Sequence, residues 1–235
     1  YTVSDDGLTW TFKLRDDDEL QLFFDTKPPV DYIMEEFIHG EIHTFDGLAD
    51  RDGRVVFMNS MIFRKGIMES VNDNLDMFYY TQREIPEDLL EYGPRAVKAF
   101  GLKERFFHFE YFRAGQGLVA LEINARPPGG WSMDMFNYAN DADLYDQYAR
   151  LVLEGTVDGV FNRLCHAAYV GQKRRELITH AHTREEILAA YGHLIMQHGP
   201  IDSIFSAALG DYAYLMRSQD LEPLEEAAAF ILERA

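Results

Sequence analysis

Glu110, Glu122, Asn124 and Arg126 are the residues whose types and spacing carry the most chemistry in this 235-residue chain. Glu122, Asn124 and Arg126 stand at i, i+2 and i+4, so a strand would hold all three on one side. They lie in 106–126, where two strand-like runs flank a Gly115-Gln116-Gly117 centre that reads as a turn. Centring the turn on Gln116 sets Glu110 opposite Glu122 and His108 opposite Asn124. On the reverse, apolar face, Phe109 then meets Ile123 and Tyr111 meets Leu121. Like charges directly opposed destabilise an antiparallel pair. A divalent cation relieves both, and Asn124 adds a neutral oxygen beside them. Few carboxylates and an adjacent arginine suit Mg²⁺ shared with phosphate oxygens better than an all-protein calcium cage. The competing reading is a solvated polar face of a half-exposed hairpin.

The next residues favour the first reading. In Arg126-Pro127-Pro128-Gly129-Gly130 the two glycines permit close backbone approach, and Arg126 offers a bidentate clamp for phosphate or carboxylate. Ser132 is the expected N-cap of a helix whose free N–H groups attract anions. Cation ligands, an anion loop and an arginine together point to phosphate chemistry.

The elements that must position these groups follow from periodicity and punctuation. A β-rich run at 10–14 precedes Asp16, Asp17 and Asp18, an acidic helix start, and Lys27-Pro28-Pro29 breaks that helix. Strands are expected at 32–38, 42–49 and 54–62, the last two joined by a turn at Asp50-Arg51-Asp52-Gly53. The turn lacks the spacing of an EF-hand loop. Another strand is expected at 77–81, and Pro86 opens a helix to about Phe100. Beyond the hairpin, a helix at 144–154 ends at Gly155. Strands at 164–171, 194–198, 204–209 and 212–217, a helix at 184–191 and a closing helix from Pro223 complete the pattern. Gly210-Asp211 reads as a turn between strands.

Composition removes several classes of function. Lys and Arg number 22 against 40 Asp and Glu, a formal net charge of −18, with 47% hydrophobic and 14% aromatic content. That balance repels nucleic-acid phosphates and anionic membranes, so neither is an expected partner. No apolar run reaches membrane-spanning length and no signal-peptide pattern opens the sequence. Cys165 is the one cysteine, which excludes an internal disulfide framework and suits a reducing cytoplasm.

Glu110, then Glu122-Ile123-Asn124-Ala125-Arg126 with a following Gly-Gly, resembles the metal signature of the ATP-grasp superfamily of ligases. The upstream run Met34-Glu35-Glu36-Phe37-Ile38-His39-Gly40-Glu41 is similar to that family's adenine linker. The resemblance spans roughly 27–154 and implies an α+β, ATP-grasp fold. Its sheet would be largely antiparallel and flanked by helices, with a small C-terminal α/β domain. It divides the chain into 1–26, the end of the small subdomain; 27–155, the large subdomain with the metal and nucleotide site; and 156–235, the C-terminal domain.

By the same resemblance Glu110, Glu122 and Asn124 hold Mg²⁺, with Mn²⁺ as a substitute, against ATP phosphates. Arg126 orients the substrate carboxylate and its acyl phosphate. Phe112 lies under adenine, Glu35 sits near the adenine amino group, and Glu36 and Ile38 offer backbone groups to the base. Glu41 binds the ribose hydroxyls. The implied activity is ATP- and Mg²⁺-dependent activation of a small carboxylate for attack by an amine. Alternatives are a carboxylase-like member using bicarbonate, or a non-catalytic nucleotide-binding or scaffolding domain. The family's phosphate-binding lysine and Gly-rich loop have no counterpart, since Lys13 comes too late. The chain therefore reads as part of a longer cytoplasmic enzyme, with homo-oligomerisation left open.

Other residues read as structural. His180 and His182 are expected on the surface before a helix, without a third metal ligand. His39 and His43 flank the linker and are explained equally by site lining or loop exposure. Cys165 is expected buried and inert, and Met133, Met135, Phe136 and Tyr138 read as helix core.

Overall fold

The computed structural model describes residues 2–3, 9–10, 12–64, 73–115, 117–173 and 179–235. Gln116 and Thr11 therefore lie outside the described residues. The chain divides into two compact units, Tyr1–His39 and Gly40–Ala235.

In the first unit β1 (Thr2–Val3) pairs antiparallel with β2 (Thr9–Trp10). Helix α1 (Asp17–Thr26) starts where the acidic residues predict, the Asp16 side chain accepting from the Glu19 N–H at 2.8 Å. Phe23 is buried and meets Phe12, Phe24 and Tyr32 edge-on. Residues 31–39 form no strand. The β-rich composition at 32–38 raises propensity, but no neighbouring strand satisfies its backbone, and pairing is what makes a strand.

The second unit is built on a nine-stranded sheet in the order β10-β11-β9-β6-β5-β3-β7-β8, with β4 also paired to β3. Its strands are β3 (Glu41–Ala49), β4 (Val55–Asn59), β5 (Met61–Phe63), β6 (Met77–Thr81), β7 (Arg105–Ala114), β8 (Gly117–Asn124), β9 (His166–Gln172), β10 (Ile195–Pro200) and β11 (Tyr212–Ser218). Every pairing is antiparallel. The expected strand at 54–62 is interrupted at Ser60, so β4 and β5 address β3 in succession. The turn before β4 closes as expected. Asp50 Oδ1 accepts from the Asp52 and Arg54 N–H groups, and Gly53 takes a φ of 82° that favours glycine. Strands β9, β10 and β11, all from 156–235, extend the same sheet through the β6–β9 pairing.

Helices cover both faces. On one, α3 (Ser132–Asn140) and α4 (Leu144–Glu154) bury Met133, Met135, Phe136, Ala139, Leu144 and Leu151 with Leu48, Phe57, Met61, Tyr79 and Tyr169. On the other, α2 (Glu87–Ala99) packs Leu89 and Val97 with Phe45, Phe107, Phe109 and Tyr111. Gly93 makes that packing close, because a Cβ there would run into the Phe45 ring. Helices α5 (Arg184–Tyr191) and α7 (Glu222–Leu232) cover that face further along, over Ala168, Val170, Tyr214 and Met216. The expected strand at 204–209 lies instead within α6 (Ser203–Leu209), since the Asp202 side chain caps it by accepting from the Ile204 N–H at 3.0 Å. A short apolar run does not separate the two states by pattern alone. Gly210-Asp211 consequently joins a helix to a strand. No helix among the described residues is long and apolar enough to cross a membrane.

Candidate nucleotide and metal site

Three strands align their polar residues into two rungs on the α3 side of the sheet. Thr44 pairs with Glu110 and Glu110 with Glu122; one step along, Asp46 pairs with His108 and His108 with Asn124. Apolar residues bound the rungs, with Ile42 and Phe112 on one side and Leu48 and Phe106 on the other. A strand period of two puts all of these on one face. The turn arithmetic thus gives the correct partner for Glu110 and His108. It fails one residue later: a bulge between Glu110 and Tyr111 leaves Leu121 unpaired, and Tyr111 meets Ala120 rather than Leu121.

Within the rungs, the inner groups satisfy one another. Asp46 is wholly buried and sits at 2.6 Å from His108 Nδ1, while its other oxygen accepts from Thr44 Oγ1. Thr44 Oγ1 in turn accepts from the Met61 N–H at 2.8 Å. His108 Nε2 lies 2.9 Å from Glu110 Oε1. Burial disfavours the imidazolium, yet Asp46 and Glu110 on its two sides push the His108 pKa up to about 10. His108 therefore carries its proton at neutral pH and ties two carboxylates together.

Toward the edge of the sheet the groups lack partners. Glu122, half-buried, makes no hydrogen bond or ion pair among the described residues, and Asn124 Nδ2 is buried without one. Glu110 and Glu122 face each other across the strand pair, and among the described residues only Glu110 has the His108 ring beside it. Among the described residues no three His, Cys, Asp or Glu side chains form a ready-made metal cage. The donor set of two facing carboxylates and an amide fits a hard cation whose remaining ligands come from water or phosphate. Thr44, Asp46 and His108 were not singled out by sequence as site residues. Their signal is alternation: Thr44 and Asp46 at i and i+2, between Ile42 and Leu48 on the same strand face.

The loop after β8 departs from expectation in one detail. Ser132 is the first residue of α3 rather than its cap; Trp131 precedes the helix and gives no side-chain cap. Ser132 Oγ lies 3.1 Å from the buried Tyr79 hydroxyl. Arg126 is exposed, and Nη1 donates only to the Pro127 carbonyl at 2.9 Å, so its guanidinium has no carboxylate partner among the described residues. Gly130 has a φ of 60° and packs against Leu209 of α6.

The base-side residues divide between the units. Glu35 and Glu36 are exposed and Ile38 half-buried in the first unit, and the backbone of all three makes no hydrogen bond among the described residues. Glu41 opens β3 in the second unit and lies 3.3 Å from Arg64 Nη1 and 3.4 Å from His43 Nε2. Phe112 is half-buried on the Glu110 face. His43 is buried rather than exposed, and burial, then Arg113, holds its pKa down. Away from the site, His180 meets Asp76 at 3.3 Å, His182 stacks on Phe230 at 3.5 Å, and Cys165 is a buried free thiol.

Residues 25–134, which include the linker, both rungs and the Gly-Gly loop, match the family model of the ATP-grasp domain. The chain has an ATP-grasp fold. Solved structures of similar shape include an L-amino acid ligase from Bacillus licheniformis (TM-score 0.65, 14% identity, covering 85% of this chain and 55% of that one). A phosphoribosylglycinamide synthetase from Anaerococcus prevotii gives a TM-score of 0.59 at 12% identity, covering 92% and 58%. An N5-carboxyaminoimidazole ribonucleotide synthetase from Thermotoga maritima gives 0.58 at 16% identity, covering 95% and 60%. At such identities the likeness establishes the ATP-grasp fold, and the chain spans little more than half the length of these structures. No curated protein sequence matches it.

Proposed function

We propose that this chain is the ATP- and Mg²⁺-binding part of a ligase that activates a small carboxylate as an acyl phosphate for capture by an amine. The observation that carries this reading is the rung of opposed carboxylates, Glu110 against Glu122, left unrelieved at its outer end. In this reading 1–26 closes a small subdomain, 27–155 is the large one, and 156–235 is the C-terminal α/β domain, whose strands β9, β10 and β11 extend the sheet. The intact enzyme would work in the cytoplasm.

Glu110, Glu122 and Asn124 would hold Mg²⁺, or Mn²⁺ in its place, which neutralises phosphate charge during transfer. His108 fixes the Glu110 carboxylate by holding Oε1, and Asp46 fixes His108. Phe112 would pack under adenine, Glu35, Glu36 and Ile38 would meet its edge, and Glu41 the ribose. Arg126 would hold the substrate carboxylate, whose oxygen attacks the γ-phosphorus as the bond to ADP breaks. The amine nitrogen then attacks the acyl carbon, phosphate leaves, and the amine loses a proton to solvent.

The test is ADP release by the intact protein, measured with carboxylate and amine varied. Glu122→Gln is expected to cut turnover by about 10²–10³-fold, the usual loss when a transition-state charge stabiliser goes. Arg126→Ala is expected to raise the carboxylate requirement by about tenfold or more, as for a charged hydrogen bond of about 1.5–3 kcal/mol. Near-normal turnover in Glu122→Gln would overturn the metal role, and unchanged carboxylate dependence in Arg126→Ala would leave that arginine a loop anchor.

A further inference from the structure

We propose that His108 decides which divalent cation the rung accepts: by holding one oxygen of Glu110, it favours Mg²⁺ and Mn²⁺ over Ca²⁺. This rests on the metal reading above and adds a selectivity to it. Glu110 offers a cation one oxygen rather than two. Its Oε1 lies 2.9 Å from His108 Nε2, while Oε2 has no partner among the described residues and is not sealed from solvent. The imidazole is braced against turning aside to release Oε1. Its Nδ1 lies 2.6 Å from Asp46 Oδ1, and with a carboxylate oxygen at each nitrogen the ring donates at both ends. Asp46 and Thr44 are wholly buried; Asp46 Oδ2 accepts from Thr44 Oγ1, which accepts from the Met61 N–H at 2.8 Å. The hold on Glu110 thus runs from β7 through β3 to a backbone amide of β5.

The two classes of cation respond differently to such a carboxylate. Ca²⁺ takes about six to eight oxygens and commonly draws both from one carboxylate. Mg²⁺ and Mn²⁺ prefer about six in an octahedron, and Mg²⁺ keeps several waters among them. A carboxylate pinned to one-oxygen binding therefore penalises the larger ion more. Glu122 and Asn124 add few oxygens, and among the described residues no three His, Cys, Asp or Glu side chains gather into a cage that would make up the number. Residues that orient a metal ligand from behind change affinity by about 10–100-fold when replaced, so one imidazole suffices for a measurable preference.

The test is calorimetric titration of ADP into the intact protein with Mg²⁺, with Ca²⁺ or with neither. In the unaltered protein Mg²⁺ is expected to tighten ADP binding at least about tenfold more than Ca²⁺ does. His108→Asn keeps a donor for Asp46 but is too short to reach Glu110, so the preference should fall to near equality. His108→Gln places its amide where Nε2 lies, reaches Glu110 and should retain the preference. Thermal melting verifies that each variant folds. No effect of Mg²⁺ on the unaltered protein would overturn the metal reading on which this inference rests. A Mg²⁺ effect matched by Ca²⁺ in the unaltered protein would overturn the selectivity alone. So would an unchanged preference in folded His108→Asn, or a lost one in folded His108→Gln.

Discussion

The two faces of β3, β7 and β8 are made by the same strands and obey opposite rules. On one, Phe45, Phe107, Phe109 and Tyr111 stack under α2, with Phe45 and Phe107 centroids 5.6 Å apart. On the other, Thr44, Asp46, His108, Glu110, Glu122 and Asn124 form polar rungs set into an apolar surround. The first face gains free energy from area removed from water. The second spends some of that gain to hold like charges opposite each other, a cost with no structural return unless a cation joins them. Strand alternation lets the aromatic face hold the backbone rigid for the polar one.

Breaking the aromatic face has the largest expected effect. Phe109 is fully buried, so Phe109→Ala should lower unfolding free energy by about 3–5 kcal/mol, read as a shifted denaturant midpoint. A smaller loss would mean the aromatic face is not the scaffold. Glu122→Gln should leave that midpoint unchanged or raise it, since it removes one of two opposed charges, even as turnover collapses.

A carboxylate outside the rungs sharpens the contrast, with the smallest expected effect. Asp76 is buried, but its chain satisfies it: the Lys173 N–H at 2.8 Å, His180 Nε2 at 3.3 Å and Arg234 Nη2 at 3.3 Å. Burial pushes its pKa up, yet His180, the Lys173 N–H and Arg234 outweigh that and hold it below the ordinary value. A depressed folded pKa contributes stability that is full above the unfolded value of about 3.9 and is lost as pH falls through the folded one. Asp76→Asn should therefore flatten the acid limb of stability against pH below about 4 and lower the plateau above it. An unchanged acid limb would contradict this assignment.

Much of the site was legible in sequence because hairpin numbering is symmetric about its turn. Glu110 and Glu122 find each other by counting from Gln116, and Gly53 and Gly155 mark their turn and helix end. Counting fails at Leu121 because a bulge adds a residue to one strand only, and nothing local announces it. The rest of each rung was hidden, since Thr44 and Asp46 enter from a strand about sixty residues away and pairing across such distance has no local signature. Residues 32–38 look like a strand and lack a partner, while 204–209 look like a strand and find a helix cap in Asp202. Ser132 looks like a cap and is taken by Tyr79. The lack of a pairing strand decided the first case, a local cap the second and a tertiary partner the third.

The central claim is that the Glu110–Glu122 rung exists to hold a cation against a nucleotide. Titration of ADP into the intact protein and its Glu122→Gln variant, each with and without Mg²⁺, tests it most directly. The account predicts that Mg²⁺ tightens ADP binding at least about tenfold in the unaltered protein, and that this gain disappears in Glu122→Gln while Mg²⁺-free affinity is kept or improved. An equal Mg²⁺ effect in both proteins would contradict it.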